Sequence, residues 1–393
     1  MFDVVISGAG PSGSKCAEIL AKNGFKVALI EKDTNWRKPC GGGVSARIFK
    51  YFPQLRKYNI PKKKGIVMFS SKYYKLENRW EDLKDYSIVM DRLELDNLIR
   101  DVAVDAGVEL FDKNISFDYV IKNQKKIGIR TKTPSGVNEY LGKIIIVADG
   151  MSSKLAIKSG LRERWKTEQL GIAKCAILEG ENSLDSSSIY IFFRPYKGYG
   201  WIFPIDEHRF NIGCGTFEED NLSYNLNEIY KEFINNPNIK NLLPKSNYKQ
   251  IWMGSYPLPS LGVLEKSLFG ENIMLIGDAA GFVSPISGEG IHASIVSGDI
   301  AAETAIYALE KEDVSEKTLK KYKFHPKIKK IIRNFKLKHS MANFFFENRG
   351  QNLNTVFKIA EKEISFKQEV INIFLYNTTP PKEFFQRIKN TIS

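Results

Sequence analysis

The N-terminal segment changes from the residue spacing of a strand to that of a helix and back. Apolar residues predominate at positions 3–7, recur at helical spacing over 14–24 and predominate again at 26–31. A glycine-rich turn at 8–13 joins the first strand to the helix. This order predicts a βαβ unit whose two strands run parallel in one sheet.

The same alternation of strand and helix returns further along the chain. A helical spacing over 92–106 leads to a short strand at 108–111, where we expect the parallel sheet to continue. A strand at 273–276, a turn at 277–290 and a helix at 291–309 then resemble the opening unit. The chain is therefore predicted to leave a nucleotide-binding domain and to re-enter it.

Two other stretches, 66–89 and 171–215, alternate apolar and polar positions and contain aromatic and turn residues. This pattern predicts antiparallel strands of a second sheet. After residue 309 the spacing is helical, and residues 317–338 contain ten Lys or Arg and no acidic residue. Such a run is typical of a solvated helix face, and contact with an anionic membrane surface is the alternative.

The composition is that of a large globular protein, because 43% of 393 residues are apolar. We expect a cytoplasmic protein, soluble or peripheral at the membrane surface, because the sequence has no secretory leader and no apolar segment of roughly 20 residues. Four widely spaced cysteines indicate reduced thiols and form no metal-ligand pattern. The net charge of +13 favours polyanions in general and does not choose among nucleic acid, anionic lipid and diphosphates.

The turn at 8–13 has the pattern GxGxxG directly after a strand and before a helix, where it predicts dinucleotide binding. Gly8 permits the tight turn, Gly10 lets the backbone approach a pyrophosphate, and Gly13 allows close helix packing. The helix N-terminus then offers free N–H groups to the anion. The pattern does not distinguish FAD from NAD.

Glu31 ends the second strand, 18 residues beyond Gly13, and is predicted to accept hydrogen bonds from an adenosine ribose. Ser12 in the turn and Lys32 beside the glutamate complete the cofactor-binding candidates of this unit.

Two later segments, 147–150 and 276–280, resemble the further fingerprints of FAD enzymes related to the aromatic hydroxylases. The resemblance implies that Asp278 hydrogen-bonds the ribityl chain and that Asp149 helps to place the loops around the phosphates. Each segment alone is also what an ordinary turn contains. The glycine turn at 8–13 and these two segments, occurring in this order, favour FAD.

The resemblance implies further cofactor contacts. Gly288, Gly290 and Ile291 open a helix whose N–H groups and dipole favour negative charge at the flavin N1/C2=O edge. The counterpart of Arg92 in these flavoproteins contacts the cofactor, and the alternative is a solvated arginine at a helix start. Ser116 is a candidate for backbone contact with adenine.

The loop Lys38-Pro-Cys-Gly-Gly-Gly43 resembles a loop typical of the geranylgeranyl reductase family. The resemblance places Cys40 beside the isoalloxazine, with the backbone of Gly41 and Gly43 against the flavin. There the thiol could adjust substrate access or take part in proton delivery. The alternative is a buried apolar cysteine.

Residues 195–204 resemble the PxxYxWxFP motif of the same family, with one departure: three residues separate Pro195 from Tyr199, where the motif has two. On a strand, Tyr199, Trp201 and Phe203 point to one face, where they would form an aromatic wall for a long polyene. The alternative is ordinary sheet core.

The resemblance covers about residues 1–310 and implies FAD-dependent reduction of isolated C=C bonds in geranylgeranyl chains of isoprenoid lipids or geranylgeranyl diphosphate. The implied catalytic residues are Cys40, Tyr199 and Trp201. The implied partners are an isoprenoid lipid and an electron donor, with NADPH, ferredoxin and deazaflavin all open, and no nucleic acid.

Three other functions compete with this one. A flavin monooxygenase shares the three FAD segments and uses O2. A quinone-reactive electron-transfer flavoprotein usually adds an iron–sulfur cluster, for which four scattered cysteines provide no site. A non-catalytic polyanion-binding protein is supported by net charge alone.

The predicted fold is therefore α/β, with a Rossmann-like FAD-binding domain interrupted by an antiparallel β-sheet substrate domain and followed by a C-terminal helical region. The predicted boundaries are 1–65, 90–165 and 265–310 for the FAD-binding domain, 66–89 and 166–264 for the substrate domain, and 311–393 for the helical region.

Overall fold

A computed structural model describes residues 1–80, 86–180, 184–217, 224–243, 248–376 and 380–392. Parts of the predicted strand segments, 81–85 and 181–183, lie outside these residues. The strands are β1 (Phe2–Ser7), β2 (Val27–Ile30), β3 (Gly43–Ser45), β4 (Lys62–Lys63), β5 (Gly65–Phe69), β6 (Lys75–Arg79), β7 (Ser87–Val89), β8 (Glu109–Phe111), β9 (Ile115–Lys122), β10 (Lys125–Thr133), β11 (Gly136–Val147), β12 (Leu170–Glu179), β13 (Ser188–Phe193), β14 (Gly198–Pro204), β15 (Arg209–Phe217), β16 (Lys249–Pro259), β17 (Phe269–Gly270) and β18 (Ile273–Leu275). The helices are α1 (Pro11–Lys22), α2 (Ile48–Tyr51), α3 (Arg92–Asp105), α4 (Lys154–Lys158), α5 (Leu226–Asn235), α6 (Pro237–Lys240), α7 (Ile291–Glu310), α8 (Glu316–Leu319), α9 (Lys321–Phe324), α10 (Pro326–Lys362), α11 (Ile364–Tyr376) and α12 (Lys382–Ile392).

The first sheet has the order β17-β18-β11-β1-β2-β8, and the hairpin of β9 and β10 extends from β11. Strand β1 pairs in parallel with β2 and β11, and β2 pairs in parallel with β8. The predicted βαβ unit and its continuation at 108–111 are therefore confirmed. The central parts of these strands, 4–6, 27–30 and 144–147, are apolar and buried, as expected when helices cover both faces of a parallel sheet.

The start of α1 differs from the sequence-based prediction. The helix begins at Pro11, whereas the spacing predicts a start at residue 14. Proline suits the first helical position because its missing N–H would have no helical partner there. As a result Ser12 and Gly13 belong to the first helical turn rather than to the preceding loop.

The second sheet has the order β16-β12-β15-β14-β13-β5-β6. Most neighbours are antiparallel as predicted, but β5 and β13 run parallel, so the prediction of a purely antiparallel sheet is wrong. Strand β7 also leaves this sheet and pairs with β3 and β4 in a third, small one. Alternation of polar and apolar residues indicates which face of a strand is buried and does not specify its neighbour or their relative direction.

The chain after α7 is helical in its described part. Residues 319–335 contribute to the core of the first sheet, and the helical residues from Met341 onwards pack against the second sheet. Helix α10 is interrupted at 347–350, where four successive residues leave helical geometry. Aromatic side chains dominate the contact between the C-terminal helices and the second sheet. The ring centroid of Phe193 on β13 lies 5.7 Å from that of Phe357 and 4.9 Å from that of Phe374. None of the described helices is long and apolar enough to cross a membrane.

Candidate active site

The three glycines of the turn after β1 have different surroundings. A side chain at Gly8, which has φ +100°, would place its Cβ 2.3 Å from the Ala148 carbonyl oxygen. A Cβ at Gly13 would lie 1.9 Å from the Gly8 carbonyl oxygen. At Gly10, by contrast, a Cβ would meet no atom of the described residues within 4 Å. The fold itself therefore requires glycine at two of the three positions, and the third faces space that a ligand can occupy.

The Glu31 carboxylate stabilises this turn through backbone hydrogen bonds. One oxygen accepts from the Ala9 N–H at 2.8 Å, and the other accepts from the N–H groups of Lys32 and Asp33 at 2.9 and 3.2 Å. Lys32 extends over the Trp36 ring, with its Nζ 3.7 Å from the ring centroid. The sequence identifies Glu31 as a ribose acceptor, which stays a prediction, and its role in holding the turn is an additional one.

A cavity of about 460 Å³ extends from this turn to the second sheet. Its size is within the range of small-molecule sites. The predicted site residues that line it are Gly8, Gly10, Ser12, Glu31, Lys32, Cys40, Gly41, Gly43, Arg92, Ser116, Tyr199, Trp201, Asp278, Gly288, Gly290 and Ile291. Gly13 is the exception: it lies behind the turn, against Gly8.

Arg92 is buried at the start of α3 and is not a solvated helix-start arginine. It donates to both carboxylate oxygens of Asp96, at 3.1 and 2.8 Å, and lies near the Cys40 side chain. Burial disfavours its charge, but Asp96 and Cys40 outweigh that penalty and raise the pKa of Arg92. A fixed cation therefore lies beside the Cys40 loop.

The Cys40 loop is held by contacts that leave little freedom. A Cβ at Gly42, which has φ +74°, would lie 2.0 Å from the Met90 carbonyl oxygen. The Cys40 carbonyl accepts from the Asn211 side-chain amide at 3.0 Å, and the Asn211 oxygen accepts from the Trp201 indole N–H at 2.8 Å. Cys40 itself is half-buried and lines the cavity, whereas the other three cysteines are buried. The loop and the aromatic strand thus form one hydrogen-bonded unit.

The aromatic residues of β14 share one face, as predicted from strand geometry. Ring centroids of Tyr199 and Trp201 are 5.9 Å apart, and those of Trp201 and Phe203 are 6.2 Å apart. The Tyr199 hydroxyl donates to the Ser287 carbonyl, and burial raises the pKa of Tyr199 above its usual value, which keeps the hydroxyl protonated. The additional residue after Pro195 falls in the turn between β13 and β14 and leaves this register intact. The same part of the cavity is also lined by Ile189, Ile191, Phe193 and Phe374.

Asp278 lies on a short 3-10 turn after β18 and faces the cavity. Its carboxylate forms an ion pair with Lys38, with 2.5 Å between Nζ and Oδ2. A Cβ on Gly290, the residue that caps α7, would lie 3.5 Å from the other carboxylate oxygen. The carboxylate and the start of α7 are therefore close enough to contact one ligand.

The buried polar atoms of the cavity lining that have no hydrogen-bond partner among the described residues include the Ser116 hydroxyl oxygen and Oδ1 of Asp149. Burial raises the pKa of Asp149 to about 6. Unpaired buried polar atoms are costly, so a polar ligand at this end of the cavity would stabilise both. Together with the open space at Gly10, these atoms fit the adenosine and phosphate portion of a dinucleotide.

The residues that line or support the cavity and were not predicted from the sequence include Arg100, Asn211 and His292. Arg100 was detectable, since Arg92, Asp96 and Arg100 are spaced by four on one helix and therefore share a face. An asparagine within an alternating strand and a histidine after a helix start carry no comparable signal.

Residues 1–327 match the FAD binding domain family. Relatives include the digeranylgeranylglycerophospholipid reductase of Methanocaldococcus jannaschii, 30% identical over 344 residues that cover 82% of this chain and 81% of the relative. Digeranylgeranylglycerophospholipid reductase 1 of Methanopyrus kandleri is 29% identical over 332 residues, which cover 82% and 84%.

A solved structure shares the fold over the whole chain. It is that of a geranylgeranyl bacteriochlorophyll reductase-like protein from Thermoplasma acidophilum, with a TM-score of 0.84 at 23% identity, covering 99% of both chains. FAD is the cofactor that the matched domain implies, and the residues around the cavity fit it. The chain therefore belongs to the FAD binding domain family and, within it, to the geranylgeranyl reductase family.

Proposed function

We propose that this protein uses FAD to reduce isolated C=C bonds in geranylgeranyl chains of isoprenoid lipids or of geranylgeranyl diphosphate. The observation that carries the proposal is the composition of the cavity. Its aromatic and aliphatic end, formed by Tyr199, Trp201, Phe203 and the side chains of β13, adjoins the Cys40 loop directly. An apolar chain bound there would lie beside the residues assigned to the cofactor.

Reduction of an unactivated alkene needs a hydride at one carbon and a proton at the other. FAD, when bound in its reduced form, would supply the hydride. Positive charge that develops on the substrate carbon is stabilised by the faces of Tyr199 and Trp201, and the apolar walls exclude water that would capture it. The wall residues therefore bind, orient and electrostatically assist the reacting chain.

Cys40 is proposed to hold or pass the proton at its sulfur. The thiol lines the cavity near the buried Arg92 guanidinium, and Asn211 holds the backbone of the loop through the Cys40 carbonyl. No covalent intermediate on the sulfur is needed, because neither an acyl nor a glycosyl group is transferred.

Replacement of Cys40 tests that role. If the thiol relays a proton, Cys40→Ser should keep more activity than Cys40→Ala, because the serine hydroxyl can also relay. The measurement is the rate of alkene reduction by pre-reduced enzyme, with Cys214→Ala as a control at a buried cysteine. Equal impairment of both variants would indicate packing or gating, and wild-type rates in both would remove Cys40 from the mechanism.

The function itself is tested by mass spectrometry of a geranylgeranyl lipid incubated with dithionite-reduced protein. A mass gain of two hydrogens per reduced bond is expected, and chemical reduction makes the result independent of the natural electron donor. Oxygen consumption coupled to NADPH, with an oxygenated product and no saturated one, would instead establish a monooxygenase.

We also propose that the chain is organised as predicted, with 1–65, 90–165 and 265–310 holding FAD and 66–89 and 166–264 holding substrate. The assignment is supported by the two large sheets, which fall mainly in these respective segments. The helical region 311–393 is proposed as a third unit.

A peripheral membrane contact through the basic segment 317–338 is a further part of the proposal. Phe324 is 52% exposed and has the Lys329 ammonium 5.0 Å from its ring centroid, an arrangement suited to an anionic lipid surface. Cosedimentation with anionic vesicles, compared with neutral ones, measures this contact.

A further inference from the structure

The segment 36–39, in the loop that follows β2, lies along strand β16 of the second sheet. The rings of Trp36 and Tyr256 meet edge to face, with 5.3 Å between their centroids. Pro39 lies beside Gly254, where an added Cβ would come within 3.0 Å of the proline Cγ. Trp36 and Tyr256 are half-buried, and both line the cavity. This pair, called the aromatic bridge below, joins a loop of the first sheet to the second sheet at the cavity.

Each ring of the aromatic bridge is contacted by a lysine that adjoins a different part of the predicted cofactor site. The Lys32 ammonium is 3.7 Å from the centroid of Trp36, and Lys32 directly follows the glutamate assigned to the adenosine ribose. The Lys38 ammonium is 5.9 Å from the centroid of Tyr256 and forms the ion pair with Asp278, which is assigned to the ribityl chain. The bridge is therefore connected to residues assigned to both halves of FAD.

Both rings are held in place by the protein itself. The Trp36 N–H donates to the Asp33 carbonyl at 3.1 Å, which closes a turn just before the segment. Tyr256 is paired with Ala173 across β16 and β12, and its hydroxyl oxygen lies 3.4 Å from the Ser152 hydroxyl oxygen. Side chains that are already ordered lose little conformational entropy when a ligand packs against them. The bridge is thus pre-organised for contact with a ligand in the cavity.

We propose that the aromatic bridge closes over the central part of FAD and limits the rate at which the cofactor dissociates. The proposal rests on the proposed function, to which it adds how the cofactor is retained. An extended dinucleotide bound at both assigned ends passes the bridge, so the contact between loop and sheet has to open before the whole molecule can leave. The exposed parts of the two rings gain a partner when FAD is bound, and the adjacent ammonium groups suit its pyrophosphate.

The test is the rate of FAD dissociation from the loaded protein, measured as the FAD that passes a protein-retaining membrane at successive times after dilution. Trp36→Ala and Tyr256→Ala should each accelerate dissociation about tenfold or more, because each removes one side of the contact. The double variant should be no more than about threefold faster than the faster single variant, since either change alone already opens the bridge. Tyr256→Phe keeps the ring and should release FAD at nearly the wild-type rate.

Trp252→Ala is the matched control. Trp252 is half-buried on the same face of β16 as Tyr256 and contacts the same segment, with the Arg37 guanidinium 5.5 Å from its ring centroid, but it is not among the described residues that line the cavity. Its variant should release FAD at the wild-type rate. Equal acceleration in Trp252→Ala and Trp36→Ala would show that the aromatic bridge only packs the loop on the sheet, and wild-type rates in both bridge variants would also overturn the proposal.

Two further measurements keep the outcome unambiguous. Denaturant unfolding of the apoproteins should show similar losses of stability in Trp36→Ala and Trp252→Ala, so that a difference in FAD release reports on the cofactor and not on folding. Should Trp36→Ala fail to fold, Tyr256→Leu removes the aromatic contact and keeps apolar bulk. No isoprenoid is used, so absence of alkene reduction in the wild-type protein would refute the proposed reaction and leave the bridge standing, whereas failure of the wild-type protein to retain FAD would overturn both.

Discussion

Replacing Gly10 by valine is expected to remove most of the bound FAD and to leave the apoprotein almost as stable as before. The backbone at Gly10 is extended, with φ −76°, so valine is conformationally allowed, and its Cβ would meet no described protein atom within 4 Å. The new side chain would project into the cavity and collide with a closely approaching phosphate. A collision that costs about 1–3 kcal/mol corresponds to binding roughly 5–150-fold weaker.

The measurement is the flavin-to-protein ratio after desalting, together with denaturant unfolding of the apoprotein. We expect the free energy of unfolding to change by less than about 1 kcal/mol, because Gly10 is an N-cap without a capping side chain and no cap hydrogen bond is lost. The contrasting variant is Gly8→Val, which should destabilise the apoprotein itself by about 2–6 kcal/mol through its positive φ and its contact with the Ala148 carbonyl. Normal FAD content in Gly10→Val would show that the open space is not used by the cofactor.

Truncating Trp201 to alanine should slow alkene reduction by pre-reduced enzyme about tenfold or more while leaving FAD bound. The substitution removes part of the aromatic wall and deprives the Asn211 oxygen of its indole donor, which loosens the Cys40 carbonyl. Trp201→Phe separates the two effects, because phenylalanine keeps an aromatic face and lacks the N–H. Because one side of Trp201 faces the cavity, the loss of stability should stay below the roughly 3–5 kcal/mol typical of a closed core.

Phe192→Ala is the matched control for this prediction. Phe192 is 3% exposed on the neighbouring strand, faces away from the cavity and stacks on Phe69 at 5.0 Å between centroids. Its truncation should cost about 3–5 kcal/mol of stability and leave the rate per folded, flavin-loaded molecule unchanged. If Trp201→Ala behaved in the same way, the wall would be structural core.

The features that the sequence predicts well are those whose physical cause is local. A turn of three glycines and an apolar strand depend on neighbouring residues, so the βαβ unit and the glycine-rich loops could be located from the order of residues alone. The face shared by Tyr199, Trp201 and Phe203 follows from the two-residue period of a strand in the same way.

Features that depend on distant residues could not be predicted from one chain. The parallel pairing of β5 with β13 joins segments more than a hundred residues apart, and nothing in either segment specifies the other. Asn211 is important because it lies between Trp201 and the Cys40 carbonyl, a position that only the folded sheet creates. The charged residues Arg92, Asp96 and Arg100 of α3 are an intermediate case. Their spacing by four is visible in the sequence, whereas their burial is not.

Phe374 lines the cavity although it lies outside the matched FAD-binding region. It is on α11, and the family match ends at residue 327. Its ring packs on Phe193, which in turn contacts Tyr199. Mutation in the terminal helices can therefore reshape the apolar end while the loops assigned to the flavin keep their sequence. A change at Phe374 alters the apolar end without replacing any residue assigned to the flavin.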